Sequence, residues 1–483
     1  MLVDCNVKQP LGVLVVVRQT RQQAAADSSV AVAVCDELLR VLLETIAGCF
    51  ARIESRRKAG QYVRALFSGL GKRNGWSIAE WIGDTGPAAV QRLLSRAVWD
   101  HDRVMSAVRR FAVAGLDERA GASRLRIGAL DETGQVKKGT ATAGVQRQHM
   151  GCADGIANGI NTVHLAYIVE RCGHALIAHR LWVPAFQLAD AALRKAMGLP
   201  ASMRRARTKG RIAIDLLASA YRDGVVFDFI AGDEVYGACP VLRRWCERIE
   251  QAYVLRVAKS FTIDFGSRGR FTCEQAMKQF AAARWHWRAY SAGTGSKGER
   301  AYAWYWLDTA SEGHTLLIRK HRASGKVAFH YCWTPPGHTV TLQALIRAAG
   351  LRWPVEEAFE AAKDDFGLDQ SQVRTWTAIR RHTVLVCAAL AVTAVAAAKL
   401  RSRTDRRARP ARTSSQSRPQ TFGQIPLTVS EIRRLWAAEH QPVHSLRHRA
   451  HWSDWRRAHQ AEAQWYHQRR NLTVWDEFDQ VTT

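Results

Sequence analysis

Two apolar runs that each break off at an acidic pair constrain this chain more than anything else in it. Leu125-Arg126-Ile127-Gly128-Ala129-Leu130 runs into Asp131-Glu132-Thr133-Gly134, and residues 225–232 run into Asp233-Glu234. Short apolar runs rich in β-branched and aromatic residues, closed by polar turn residues, read as buried strands. Between them, residues 162–169 and 175–183 read as two further strands forming a hairpin about the turn Arg171-Cys172-Gly173-His174. Two helical stretches come after the hairpin, around 188–197 and 211–221.

Three strands, helices, then a fourth strand is the order of an RNase H-like sheet. There the first and fourth strands lie side by side, so Asp131 and Asp233 would meet at adjacent strand ends. A third acid stands on the helix that begins near Arg352-Trp353-Pro354. Proline is tolerated in a first turn, Ala, Glu and Lys dominate the later turns, and Gly367 closes the helix. At about 100° per residue, Glu356 lies roughly 40° and Lys363 roughly 20° round from Arg352, so an acid is flanked by two cations on one face. Taken singly, each feature has a plainer reading: a solvated face with helical ion pairs, or aspartates that cap the next helix. Taken as an ordered set, they match the needs of two-metal phosphoryl transfer, several hard carboxylate ligands converging on one point.

The chain of 483 residues exceeds one ordinary core, so several domains are expected. Lys and Arg number 70 against 43 Asp and Glu, a net charge of +27, which points to a polyanionic partner such as nucleic acid. A membrane is not indicated: the longest apolar run, 384–398, is Ala-rich and short for a span, and reads as a buried helix. The apolar patch at 11–17 lacks a basic leader and a cleavage site, so no secretory signal is expected. Ten scattered cysteines, with no CxxC pair, read as reduced and mostly buried thiols of a cytoplasmic protein.

Residues 1–30 carry no clear pattern, with 22–29 reading as loop or disorder, while 31–120 are helical and basic, a candidate DNA-binding domain. The contact points there would be the turn 71–76 and the helix start at Gln91-Arg92. The core occupies 121–250 and resumes at 341–400; between them, 251–340 reads as a β-rich insertion. A basic linker at 401–420 leads to a basic helical tail at 421–483, whose tryptophans suggest packing. The loop 293–300 lacks the spacing of a nucleotide-binding glycine loop.

Asn74-Gly75-Trp76, Val90-Gln91-Arg92-Leu93-Leu94, Leu130-Asp131-Glu132-Thr133-Gly134 with Lys137-Lys138-Gly139, and Gly232-Asp233-Glu234-Val235-Tyr236-Gly237 form one set of motifs. Gly295-Ser296-Lys297-Gly298, Arg352 with Glu356 and Lys363, and Ile425-Pro426-Leu427-Thr428 with Glu431-Ile432-Arg433 complete it. In these, from about residue 50 to 470, the chain resembles DDE transposases of bacterial insertion sequences. The branch resembled has a β-rich insertion and a tyrosine–arginine–glutamate–lysine motif. The resemblance implies an α/β fold: an RNase H-like mixed sheet flanked by helices, with the insertion and an all-helical N-terminal domain.

By that match Asp131, Asp233 and Glu356 would be the catalytic, metal-binding triad, with Mg²⁺ as cofactor and Mn²⁺ able to substitute. Arg352 and Lys363 would grip phosphates, Lys137, Lys138 and Arg92 would touch DNA, and a tryptophan would hold a flipped base. Trp285, Trp287, Trp304 and Trp306 are the candidates for that base, Trp287 foremost. The motif tyrosine is replaced by Ala349, which removes one expected DNA contact. The partners implied are terminal inverted repeats, target DNA and a second copy of the chain in a homodimeric synaptic complex, located in the cytoplasm on the bacterial nucleoid. An RNase H-like nuclease that cuts without joining, and a catalytically dead or domesticated relative, are the alternatives.

Overall fold

A computed structural model describes residues 11–121, 124–203, 205–281, 287–295, 298–338, 340–407, 417, 419 and 422–482. Five helices come first: α1 (Leu11–Ala47), α2 (Ile53–Phe67), α3 (Gly75–Trp81), α4 (Ala88–Ser95) and α5 (His101–Asp117). Their buried residues recur at helical spacing, as in Leu39, Leu42 and Ile46, or Val90, Leu93 and Leu94. At the start of α3 the Asn74 side chain accepts from the Ser77 amide while the Ser77 hydroxyl accepts from the Asn74 amide, a reciprocal cap. Residues 22–29, which suggest a loop in the sequence, lie inside α1 instead. The run Gln22-Gln23-Ala24-Ala25-Ala26 is made of good helix formers, and nothing in it breaks a helix. The expectation for 1–10 lies outside the described residues.

The core sheet comes next: β1 (Arg126–Val136), β2 (Gln146–Met150), β3 (Gly155–Val169) and β4 (Gly173–Leu181). Helices α6 (Ala185–Ala189), α7 (Ala191–Ala196) and α8 (Lys209–Arg222) lead to β5 (Phe229–Gly232). Then come α9 (Glu234–Gly237), α10 (Pro240–Arg248) and β6 (Tyr253–Val257). The strand order β4–β3–β1–β5–β6, with β3 antiparallel to both neighbours and β1, β5 and β6 parallel, is that of the expected RNase H-like sheet. The short β2, absent from the sequence reading, pairs with the start of β3.

Two boundaries differ. β1 does not turn at Asp131 but continues to Val136, because β3 is 15 residues long and offers each of those residues a partner. The strand read at 225–232 is only 4 residues long.

The next segment comprises β7 (Thr262–Asp264), β8 (Arg270–Thr272), α11 (Cys273–Phe280), β9 (Arg288–Gly295), β10 (Gly298–Asp308), β11 (His314–His321) and β12 (Val327–Trp333). β6 pairs in parallel with β5 and so is the fifth core strand, not the first strand of the insertion. The insertion continues the core sheet, since β12 pairs with the free edge of β6 and β11, β10 and β9 lie successively outward. The strand read at 284–288 is described only from Trp287 onward, and Ser296 and Lys297 also lie outside the described residues.

The chain closes with α12 (Leu342–Gly350), α13 (Pro354–Asp364), α14 (Trp376–Thr404), α15 (Val429–Glu439) and α16 (Leu446–Thr482). α14 is long and apolar enough to cross a membrane, yet it is buried along most of its length. It packs against β4 and against α1, α2, α4, α5 and α15, which makes it the hub joining the helical region to the sheet. In the tail, Trp436 and Trp452 are buried, and the Trp436 indole donates to Asp36 on α1 (2.8 Å). Most of the basic linker lies outside the described residues. The nine described cysteines are free thiols, six of them buried.

Candidate active site

The parallel register of β1 with β5 ends at Leu130 beside Gly232, so the next residues on the two strands are Asp131 and Asp233. Asp233 also caps α9, accepting from the Val235 amide (2.9 Å). The tight turn depends on Gly237: a Cβ there would collide with the Arg256 carbonyl oxygen, so only glycine lets α9 lie against β6. Alternation sends Glu132 to the other face from Asp131. There it accepts from the buried Tyr236 hydroxyl (3.0 Å) and pairs with Lys209.

Glu356 comes from α13, whose buried Val355, Ala358, Phe359 and Ala362 lie against β1, β3 and β4. Arg352 precedes this helix, in the turn after α12, and its guanidinium joins the acids. One nitrogen donates to Asp131 (2.8 Å) and the other to Glu356. Burial pushes the Asp131 carboxyl up to about 7; Arg352 opposes the shift, and Asp233 and Glu132 add to it. Burial also works against the charge of Arg352, but Asp131, Glu356 and Asp233 together outweigh it and hold its pKa above the ordinary value. Glu360 is exposed and Glu357 faces Arg300, so Glu356 is the helix acid that shares a cation with Asp131.

The antiparallel register sets His164 of β3 directly beside Asp131, and His179 of β4 directly beside His164. His164 is fully buried, with the edge of its ring against Phe359 (centroids 5.2 Å) and neither ring nitrogen bonded among the described residues. Burial, with Lys363 adding, pushes it down to about 3. The sequence reading missed His164; the available signal was a single ionisable residue within an apolar strand. Lys363 does not join Arg352 at the carboxylates but lines a small cavity with His164, Thr162 and Lys137.

The other DNA-contact candidates scatter. Lys137 is half-buried, donates to the Ser371 carbonyl (2.8 Å) and is pushed down to about 8 by burial, so it is tied to the protein. Lys138 and Arg92 are exposed. The Trp287 indole donates to the Ala281 carbonyl (2.9 Å), and Lys320 lies 5.6 Å from its ring centre. Trp304 is fully buried, which leaves no face for a base, whereas Trp306 is 36% exposed; Trp285 lies outside the described residues.

The family described as DDE superfamily endonuclease matches residues 45–288, about half of the chain. The chain belongs to the DDE superfamily endonucleases. A second family, described as transposase DDE domain, matches residues 205–392. The first match includes Asp131 and Asp233; the second includes Asp233 and Glu356. No curated protein matches the sequence. Among solved structures, a cryo-EM piggyBac transposase synaptic complex with hairpin DNA is similar over 83% of this chain and 76% of that one. Its identity is 9% and its TM-score 0.42, too loose a likeness to bear on the site.

DDE transposases generally use divalent metals. Among the described residues, no three His, Cys, Asp or Glu side chains already stand as a metal cluster. The chemistry of the acids nevertheless fits a hard cation: all are carboxylates, Asp131 and Glu356 already share a cation in the guanidinium of Arg352, and neighbouring negative charge from Asp233 reaches Asp131.

Proposed function

We propose that this chain is a cut-and-paste DNA transposase of an insertion sequence, which binds terminal inverted repeats, cleaves them and joins the freed ends to target DNA. The observation that carries the reading is that one guanidinium, Arg352, bonds both Asp131 and Glu356 on β1 and α13, where the paired Leu130 and Gly232 are followed by Asp131 and Asp233. Asp131, Asp233 and Glu356 would hold Mg²⁺, with Mn²⁺ able to substitute. When bound, the cations would activate the attacking oxygen and stabilise the leaving one. Arg352 keeps Asp131 and Glu356 in place beforehand, and its planar fork suits a phosphate once released. Lys363, Lys138 and Arg92 would meet the DNA backbone, Lys137 would hold the loop beneath it, and Trp287 or Trp306 would stack a displaced base. Pairing both ends calls for a homodimer, and a hairpin intermediate fits the same chemistry.

Ala349 favours a second reading, a catalytically inactive or domesticated relative, because the motif tyrosine is missing there. The deciding experiment is cleavage of DNA carrying the element's own ends, with Mg²⁺, comparing wild type with Glu356→Gln. Cutting and joining by wild type alone supports the transposase. Cutting without joining points to a nuclease of this fold, and end binding without cutting to the inactive relative.

A further inference from the structure

Beyond β4, at the sheet edge away from the insertion, lies a cleft of about 840 Å³. Its floor is Ala178, His179 and Arg180 of β4, and its walls are α8 on one side and α5 with the start of α14 on the other. Six arginines line it, Arg109, Arg180, Arg205, Arg207, Arg222 and Arg380, against two lining aspartates, with Arg109 paired behind the wall to Asp223 (2.8 Å).

Asp215 is shared by Arg180 (2.6 Å) and Arg207 (2.5 Å), so one carboxylate serves two guanidinium groups. Arg380 lies 4.5 Å over the Trp376 ring with one end on Asp102 (2.5 Å), and its Nε is buried with no acceptor among the described residues. Arg205 and Arg222 are exposed, and no carboxylate pairs with either among the described residues. The crowding is felt locally: burial, then Arg207 and Arg380, push the Arg180 pKa down even though Asp215 opposes them. A pocket with this surplus gains from an anion, and its volume far exceeds that of a single phosphate. His179 on its floor is two strands from Asp131, about 10 Å along the row of His164 and His179.

We propose that this cleft is a phosphate-binding track for duplex DNA, separate from the carboxylate site and on the opposite flank from the insertion. The proposal rests on the DNA transposase reading. Within it, the track holds the backbone of DNA that passes the catalytic row, through charge and without base contacts.

The test measures binding of a random-sequence duplex by fluorescence anisotropy across a KCl series, with cleavage of the element's ends followed in parallel. The full-length proteins compared are wild type, Arg205→Ala/Arg222→Ala and Asp215→Asn. Each lost phosphate contact lowers the slope of log K against log salt by about one, so the double variant should bind more weakly with a slope shallower by about two. Asp215→Asn removes a negative charge from the cleft and should bind more tightly at every salt concentration. If circular dichroism shows the double variant misfolded, Asp215→Asn decides: tighter binding supports the track, and unchanged or weaker binding overturns it. A folded double variant with the wild-type slope, beside a wild type that binds and cuts its ends, overturns the track and leaves the transposase reading standing. Wild type that binds no DNA overturns both.

Discussion

Arg352 sits where opposing demands meet. Two acids converge on its guanidinium, at the place where the proposed reading puts a divalent cation. Removing it as Arg352→Ala leaves Asp131 and Glu356 facing each other in a half-buried site, at a cost of about 3 kcal/mol in metal-free buffer. Mg²⁺ should then raise the melting temperature of the variant more than that of wild type. Equal responses of the two proteins would count against these acids as metal ligands. Ala349 is a second informative residue. Its methyl group is buried on α12, so Ala349→Tyr should not restore a DNA contact but should overpack the core by about 1–3 kcal/mol, read as a lower urea midpoint.

At the scale of elements, the site depends on how α9 is seated. The helix of Glu234–Gly237 presses its last residue against the Arg256 carbonyl, and its Tyr236 ties β5 to Glu132 on β1. Gly237→Ala should push the helix away from β6 and cost about 3 kcal/mol. Because Asp233 caps this helix, DNA cleavage should fall along with stability, by more than the loss of folded protein explains. Cleavage scaled to the folded fraction, with no further loss, would separate the two. Gly367 ends α13 in the left-handed region (φ +70°), and its carbonyl accepts from His382 (3.1 Å), which fastens the Glu356 helix to α14.

Across the whole molecule, the buried histidines set the response to acid. His164, His330 and His382 are buried, with pKa values pushed down to about 3, 3 and 4, in each case chiefly by burial. Unfolded, each titrates near 6.5, so below that pH the unfolded chain binds more protons and stability falls as pH falls. Each contributes a slope of about 1.4 kcal/mol per pH unit, roughly 4 for the three together. Burial depresses His101, His174 and His179 in the same way. Asp131 acts in the opposite direction: its raised pKa adds stability at low pH that is lost as pH rises towards 7, and the raised pKa of Glu357 acts with it. The urea midpoint should therefore drop steeply between pH 6.5 and 5, and His382→Gln, which removes one of the depressed histidines, should flatten that drop.

The strand–helix order, the two aspartates after apolar runs, the charged helix at Glu356 and the burial of α14 were all legible in the chain, because hydrophobic periodicity and turn chemistry are local properties. So was the net charge, which speaks of partners rather than fold. Three features were decided only in three dimensions. β1 runs on past Asp131 because β3 is long enough to pair with it, and pairing partners distant in sequence leave no local mark. The insertion became an extension of the core sheet because β6 offered β12 a free edge. Arg352 turned inward because two carboxylates from different elements left a buried negative site open, and a guanidinium four residues from Glu356 was close enough to fill it. Register, edge availability and buried charge balance are properties of the assembled sheet, and the sequence alone could only name the residues that take part.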